Sequence, residues 1–233
     1  ESGDDSGLPN RAGFDDFFGI LRHSDAHHNY PPHLWRNGER VPQLGNDLQQ
    51  STGAYAHDVI FCELQAWLKE RCLEQPFFLY WTPTLPHAEF NVPEDSKAPY
   101  RGLGWPERPM NRTYYKNDPE GNVAYAGMVS RLDRDVGRLL DQLRAQGLAD
   151  NTLVIFTSDN GPEYEREDRF FNSNGPFRGG KRDLYEGGIR VPGVAWWPGK
   201  IVAGSRTPHV AAFWDFLPTA CELAGIKPTR RDL

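Results

Sequence analysis

The segment from Asn122 to Gly147 constrains this 233-residue chain most, because Met128, Leu132, Val136, Leu139 and Leu143 recur there at helical spacing. A single apolar stripe of that length must be buried against another element, and Gly147 supplies the stop. Two continuous apolar runs flank it in the sequence, Phe77-Phe78-Leu79-Tyr80-Trp81-Thr82 and Leu153-Val154-Ile155-Phe156-Thr157. Runs this short and apolar throughout predict strands buried on both faces. A third strand is predicted over 193–197, a helix over 54–73 where Val59, Leu64, Trp67 and Leu68 share a face, and a last helix over 211–223 that ends at Gly225. Strand, long helix, strand, loop, strand and helix is the alternation of an α/β protein with a mainly parallel sheet. The 77–82 and 153–157 strands are predicted as neighbours or near neighbours in that sheet, with the long helix on its flank.

The remaining segments are less regular. Residues 1–53 are rich in Gly, Pro, Asn and His and predict a surface excursion with only a short helix near Phe14–Leu21. Residues 83–120 are proline-rich and irregular. No internal repeat or low-complexity linker divides the chain, so 1–233 is taken as one domain. A net charge of −6 argues against nucleic-acid binding, which needs a basic face to neutralise phosphates. An anionic ligand would instead be drawn by a local positive site. No apolar run approaches the ~20 residues of a membrane-spanning helix, so no membrane partner is expected. Cys62, Cys72 and Cys221 form no metal spacing and no disulfide framework; Cys62 and Cys72 are both assigned to the 54–73 helix as small buried or half-exposed residues.

Chemistry concentrates in two places. The 153–157 strand ends in Ser158-Asp159-Asn160-Gly161-Pro162, which puts a carboxylate and an amide at the strand tip, where open α/β sheets bind ligands. Taken alone, Asp159-Asn160-Gly161 also fits a simple strand-ending turn. An Asp159 carboxylate and an Asn160 amide oxygen together suit a hard divalent cation, calcium or magnesium and not zinc. Downstream, the stretch from Asn172 to Pro192 holds Lys181 between the pairs Gly179-Gly180 and Gly187-Gly188. Glycines let a backbone approach a ligand closely, and a lysine held among them is a donor-rich point charge for sulfate or phosphate. Arg178, Arg182 and Arg190 lie nearby, but the sequence selects none of them. His87 follows the 77–82 strand in a short Pro-flanked loop, where an imidazole can hydrogen-bond an ester oxygen or leaving group. His23, His27, His28, His33, His57 and His209 are assigned structural roles, and Asp133 and Asp135 are assigned to solvated faces of the long helix.

These segments resemble the sulfatase family of the alkaline-phosphatase-like superfamily, and within it the arylsulfatase and N-acetylgalactosamine-6-sulfatase branch. The resemblance is also carried by Pro76–Trp81 with Leu85-Pro86-His87, by Gly13–Gly19, by Ala26–Tyr30 and by Trp196-Trp197-Pro198-Gly199, in the family's order. It implies an alkaline-phosphatase-like α/β fold, hydrolysis of a sulfate ester, and a sulfated small molecule or sugar as substrate. It further implies that Asp159 and Asn160 bind the metal, that Lys181 binds sulfate and that His87 contacts the ester. A periplasmic, extracellular or lysosomal setting is implied as well. Asn111-Arg112-Thr113 fits a glycosylation acceptor, relevant only in a secretory eukaryote.

The family acts through a formylglycine made from Cys or Ser in a Cys/Ser-x-Pro/Ala-x-Arg motif, and no cysteine or serine in these 233 residues opens that pattern. The family's early Asp-Asp metal pair is missing too: no apolar run precedes Asp4-Asp5 or Asp15-Asp16. The chain is therefore expected to correspond to the middle and later part of a sulfatase catalytic domain, 1–233, inactive by itself. The alternatives are a phosphoester or phosphonate hydrolase of the same superfamily and a non-catalytic sulfatase relative. The spacing from Asp159-Asn160 to Lys181 and Glu186-Gly187-Gly188 favours sulfatase over the first.

Overall fold

A computed structural model describes residues 7–47, 53–107, 118–163 and 170–227. The acceptor Asn111-Arg112-Thr113 and the pair Asp4-Asp5 lie outside the described residues. The chain divides into two compact units, Glu1–Trp197 and Pro198–Leu233.

The first unit opens with a three-stranded antiparallel sheet in the order β1 (Phe18–Gly19), β2 (His33–Arg36) and β3 (Glu39–Pro42). Asn37 and Gly38, at φ 51° and 90°, turn β2 into β3. Two consecutive left-handed residues match the right-handed twist of a hairpin, and Asn-Gly is the pair that adopts them most readily. The Asn37 side-chain oxygen also accepts from the Phe17 amide at 2.7 Å, which brings β1 to the open edge of β2. The helix expected at Phe14–Leu21 is thus replaced by a strand, because the hairpin offers this segment an edge to pair with.

Helix α1 (Ala56–Lys69) turns Phe61, Leu64 and Leu68 inward. After the short α2 (Glu94–Lys97) comes the long α3 (Gly121–Ala145), which buries Met128, Leu132, Leu139 and Leu143. Cys62 is exposed on α1, and Cys72 lies beyond its end, also exposed. Gly147 closes α3 at φ 70°, with its amide on Arg144 O (3.0 Å) and the Leu148 amide on Leu143 O (2.9 Å). Those two bonds satisfy carbonyls that the helix end leaves open. Two apolar clusters result. Phe61, Leu64, Leu68, Leu139, Leu143 and Leu148 form one, and Tyr55, Leu85, Val92, Ala124, Met128 and Leu132 the other; Trp81 packs against both. Each large apolar side chain so buried contributes about 1.5–3 kcal/mol.

β4 (Val154–Thr157) pairs with β5 (Gly193–Trp196) across the glycine-rich loop, in register Val154↔Trp196 to Thr157↔Gly193. That loop carries the short α4 (Glu186–Ile189). In the second unit a single-turn Phe213–Asp215 leads into α5 (Phe216–Leu223). No described helix is long and apolar enough to cross a membrane.

Three expectations need correction. First, all strand pairs among the described residues are antiparallel, and Phe77–Thr82 joins none of them. It runs extended with Phe77, Leu79 and Trp81 packed on the α1–α3 cluster, the cluster that Val154 and Trp196 also touch, while Phe78 and Tyr80 face out. The two apolar runs therefore share a core without sharing a ladder. Second, β4 is not buried on both faces: Ile155 is 46% and Phe156 40% exposed. Third, Asp135 is not solvated but fully buried (0% exposed), because it faces α1 and meets His57 Nε2 at 3.1 Å.

Candidate functional site

The two segments singled out in the sequence are joined backbone to backbone. The Gly161 amide donates to Gly188 O, the Lys181 amide to Pro162 O and the Gly187 amide to Arg178 O, each at 2.8 Å. Glycine is required by close approach: a Cβ at Gly161 would fall 1.9 Å from Gly187 O, and one at Gly187 would fall 2.2 Å from Gly179 O. These glycines thus serve first to let three stretches of backbone pack together, with Lys181 carried beside the Asp159-Asn160 tip as a consequence. Asn174 braces the loop through Phe177 O (2.8 Å) and Gly179 O (2.7 Å), and Asp183 accepts from the Gly180 amide at 3.0 Å. Sequence reasoning passed over both of these bracing residues.

The basic residues of this loop separate by their partners. Arg178 stacks on Tyr185 with 3.7 Å to the ring centre, Arg190 lies over Phe177 and pairs with Glu186, and Arg182 reaches Glu163 at 3.5 Å. Lys181 has no carboxylate partner among the described residues. Ser158 Oγ donates to Asn160 O at 2.9 Å and fixes the turn that presents Asp159 and Asn160.

His87 sits in a loop turn closed by its own amide on Thr84 O (2.8 Å), not at the end of a paired strand. Its Nδ1 meets the Ala88 carbonyl oxygen. Since a carbonyl only accepts, Nδ1 carries the proton, and Nε2 is left to exchange one. A segment that sequence reasoning assigned to structure comes up against this loop. Buried Asn29 donates from Nδ2 to Glu89 O (2.7 Å), to Asn91 O (3.2 Å) and to Asn91 Oδ1 (3.0 Å). This clamp sets His27 on His87, the rings stacked with centres 5.2 Å apart and planes 22° apart, while His23 meets His27 edge-on at 4.5 Å. Burial, then the positive charge of His87, His23, His28 and Lys181, lowers the His27 pKa below its usual value. Lys181 is thus within electrostatic reach of His27, and its amide ties its loop to the segment that follows Asp159 and Asn160. Nothing in the spacing of His27 pointed to this contact; only its place in the Ala26–Tyr30 block did.

The described residues hold another group with metal-ligating chemistry, His57, Asp58 and Asp135, whose ligand atoms lie within 4.8 Å of one another. Its carboxylates are already engaged. Arg131 Nε donates to Asp58 at 2.7 Å, while Arg134 Nε (2.9 Å) and Arg138 Nη1 (3.0 Å) donate to Asp135. Three guanidiniums supply the compensating charge, and a cation there would have to displace them. Burial lowers the His57 pKa despite the opposing pull of Asp135, so the ring is held neutral in a structural network. Asp159 and Asn160 instead offer two hard oxygens, a partial set against the six to eight that calcium takes.

A family model described as Sulfatase matches residues 3–226. The chain belongs to the sulfatase family. The sulfatase chain is 31% identical over 229 residues to human N-acetylgalactosamine-6-sulfatase, covering 94% of this chain and 40% of that protein. It is 34% identical over 218 residues to the uncharacterized sulfatase YdeN of Escherichia coli strain K12, covering 34% of that protein. Among solved structures it resembles Ps i-CgsB in complex with k-i-k-neocarrahexaose, with a TM-score of 0.77 at 27% identity, covering 98% of this chain and 49% of that one. The sulfatase chain therefore spans less than half the length of each of these three relatives, and its α/β class is that of the sulfatase fold. The family implies a divalent metal ion.

Proposed function

We propose that this chain carries part of a sulfate-ester hydrolysis site in which Lys181 binds the sulfate, Asp159 and Asn160 hold a divalent cation, and His87 serves the ester oxygen. The observation that carries this reading is the zipped pair of loops, in which the Lys181 amide bonds to Pro162 O three residues beyond Asp159. The all-oxygen donor pair favours calcium, with magnesium second. When bound, that cation supplies positive charge against sulfate oxygens. The Lys181 ammonium adds donors to the same oxygens, and positive charge fixed in advance where negative charge accumulates is a large catalytic contribution. His87, with Nδ1 committed to Ala88 O, takes or gives a proton at Nε2 and so assists departure of the alcohol. The family's formylglycine nucleophile has no precursor motif in these 233 residues, so the chain contributes binding and proton handling.

The substrate class proposed is a sulfated sugar, consistent with the name of the N-acetylgalactosamine-6-sulfatase it resembles. Calorimetric titration with a sulfated monosaccharide and its unsulfated parent, in calcium, tests the reading. Lys181→Ala is expected to weaken sulfated-sugar binding about 10-fold or more, since a hydrogen bond to a charged group is worth about 1.5–3 kcal/mol. Equal affinity for both sugars, or an unaffected Lys181→Ala variant, would sink it.

A further inference from the structure

His27 belongs to no part of the chemistry just described, yet its environment is built. Three features converge on it. The Asn29 clamp, buried and bonded to both Glu89 and Asn91, ties the His27 segment to the His87 loop at the main chain. The His27 ring lies face to face with His87, and His23 closes its edge. Lys181, the cation of the neighbouring loop, is near enough to repel a charge on it. The Ala88 carbonyl fixes which nitrogen of His87 is protonated only while the ring keeps its plane; a single hydrogen bond leaves rotation about the ring torsions open, whereas a stacked neighbour closes it.

We propose that His27 is a positioning residue, its ring stacked on His87 to keep Nδ1 of His87 on the Ala88 carbonyl and Nε2 as the exchanging nitrogen. The significance of this role rests on the sulfatase reading of His87, but the geometry does not. A neutral His27 is the suitable partner, because two stacked imidazolium rings would repel each other. Burial, then His87, His23, His28 and Lys181, all lower its pKa and so favour the neutral ring. His27 thereby stacks on His87 without adding a competing cation next to Lys181.

The test uses the 15N-labelled chain without ligand and reads the tautomer of each histidine from long-range ring nitrogen–proton correlations. In the native chain His87 is expected as the Nδ1-protonated tautomer. His27→Ala should abolish that preference and shift the His87 ring signals while the amide spectrum elsewhere stays native. His27→Phe, which keeps a flat ring, should restore it. An unchanged His87 tautomer in a folded His27→Ala variant overturns the proposal. Should the alanine variant fail to fold, His27→Phe against His27→Asn decides the matter: the ring-bearing variant retains the native tautomer and the amide variant loses it, and identical His87 signals in the two overturn the proposal. Inorganic sulfate added afterwards reads the other question separately, since a sulfate that moves neither His87 nor Lys181 signals counts against the sulfate site and leaves the positioning result standing.

Discussion

Gly161 is the residue on which the loop pair turns, since its missing Cβ is the space that Gly187 O occupies. Gly161→Ala must push the 178–188 backbone away. It is expected to destabilise the unit by about 1–3 kcal/mol, the usual cost of overpacking. Thermal melting would register the loss, and hydrogen exchange at the Lys181 amide, which bonds Pro162 O, should speed up with it. An exchange rate at Lys181 equal to that of the native chain would show that the loops are not coupled in this way. At this scale the sequence supported assigning anion chemistry to Lys181 but gave no means of choosing among its arginine neighbours, because a guanidinium's partners are set by residues distant in the chain. Glu163 and Phe177 occupy two of those arginines, and Lys181 pairs with no carboxylate among the described residues. His27 illustrates the same limit: its role depends on a residue 60 positions away, and an Asn29 clamp cannot be read from local spacing.

At the scale of elements, the α1–α3 interface combines an apolar seam with a buried ionic network, and the network makes stability pH-dependent. Burial lowers the His57 pKa from 6.5, so folding favours the neutral ring. The pKa of Asp135 is also lowered, against burial, by its bonds to Arg134 and Arg138 and by the charge of Arg134. A depressed folded pKa contributes stability that is complete above the unfolded value and is lost as pH falls through the folded one. Stability should therefore begin to fall below pH 6.5 through His57, with His27 acting in the same direction, and fall again in the acid range below about pH 4 as Asp135 protonates. Denaturant midpoints measured from pH 8 to 3 would trace both limbs, and His57→Gln should flatten the first. A midpoint that rises between pH 7 and 5 contradicts the sign. The helices themselves were legible: the stripe from Met128 to Leu143 and the Gly147 stop predict α3 within a few residues of Gly121–Ala145. Asp135 was misread because an ionised side chain within a polar helix face is ordinarily solvated, and only the apposition of His57 across the interface buries it. The β2–β3 hairpin carried a sufficient local signal in Asn37-Gly38, which a surface-loop assignment overlooked.

For the molecule as a whole, the expectation is that this chain alone releases no alcohol from a chromogenic aryl sulfate, even with calcium or magnesium. It lacks the motif for the covalent nucleophile, and losing a nucleophile removes the reaction path and not merely its electrostatic support. Multiple turnover by the purified 233-residue chain would require the catalytic residues to be reassigned. The exposed faces of Ile155, Phe156, Phe78 and Tyr80 belong to this scale too: extended segments that are apolar in sequence and half-open in the structure. By itself the sequence determined the sulfatase family, the α/β class, the two long helices and the identity of the chemical groups at Asp159, Asn160, Lys181 and His87. The family follows from the resemblance of its motif blocks, and the rest from local periodicity, turn chemistry and residue type, which neighbours along the chain suffice to specify. Only the tertiary structure decided that β4 pairs antiparallel with β5, that Phe77–Thr82 packs without a ladder, that Asp135 is buried against His57, and that His27 lies on His87. Strand partners, burial and ring contacts are fixed by which distant segments meet, and that is set by how the apolar stripes of α1 and α3 close on one another rather than by any short stretch of residues.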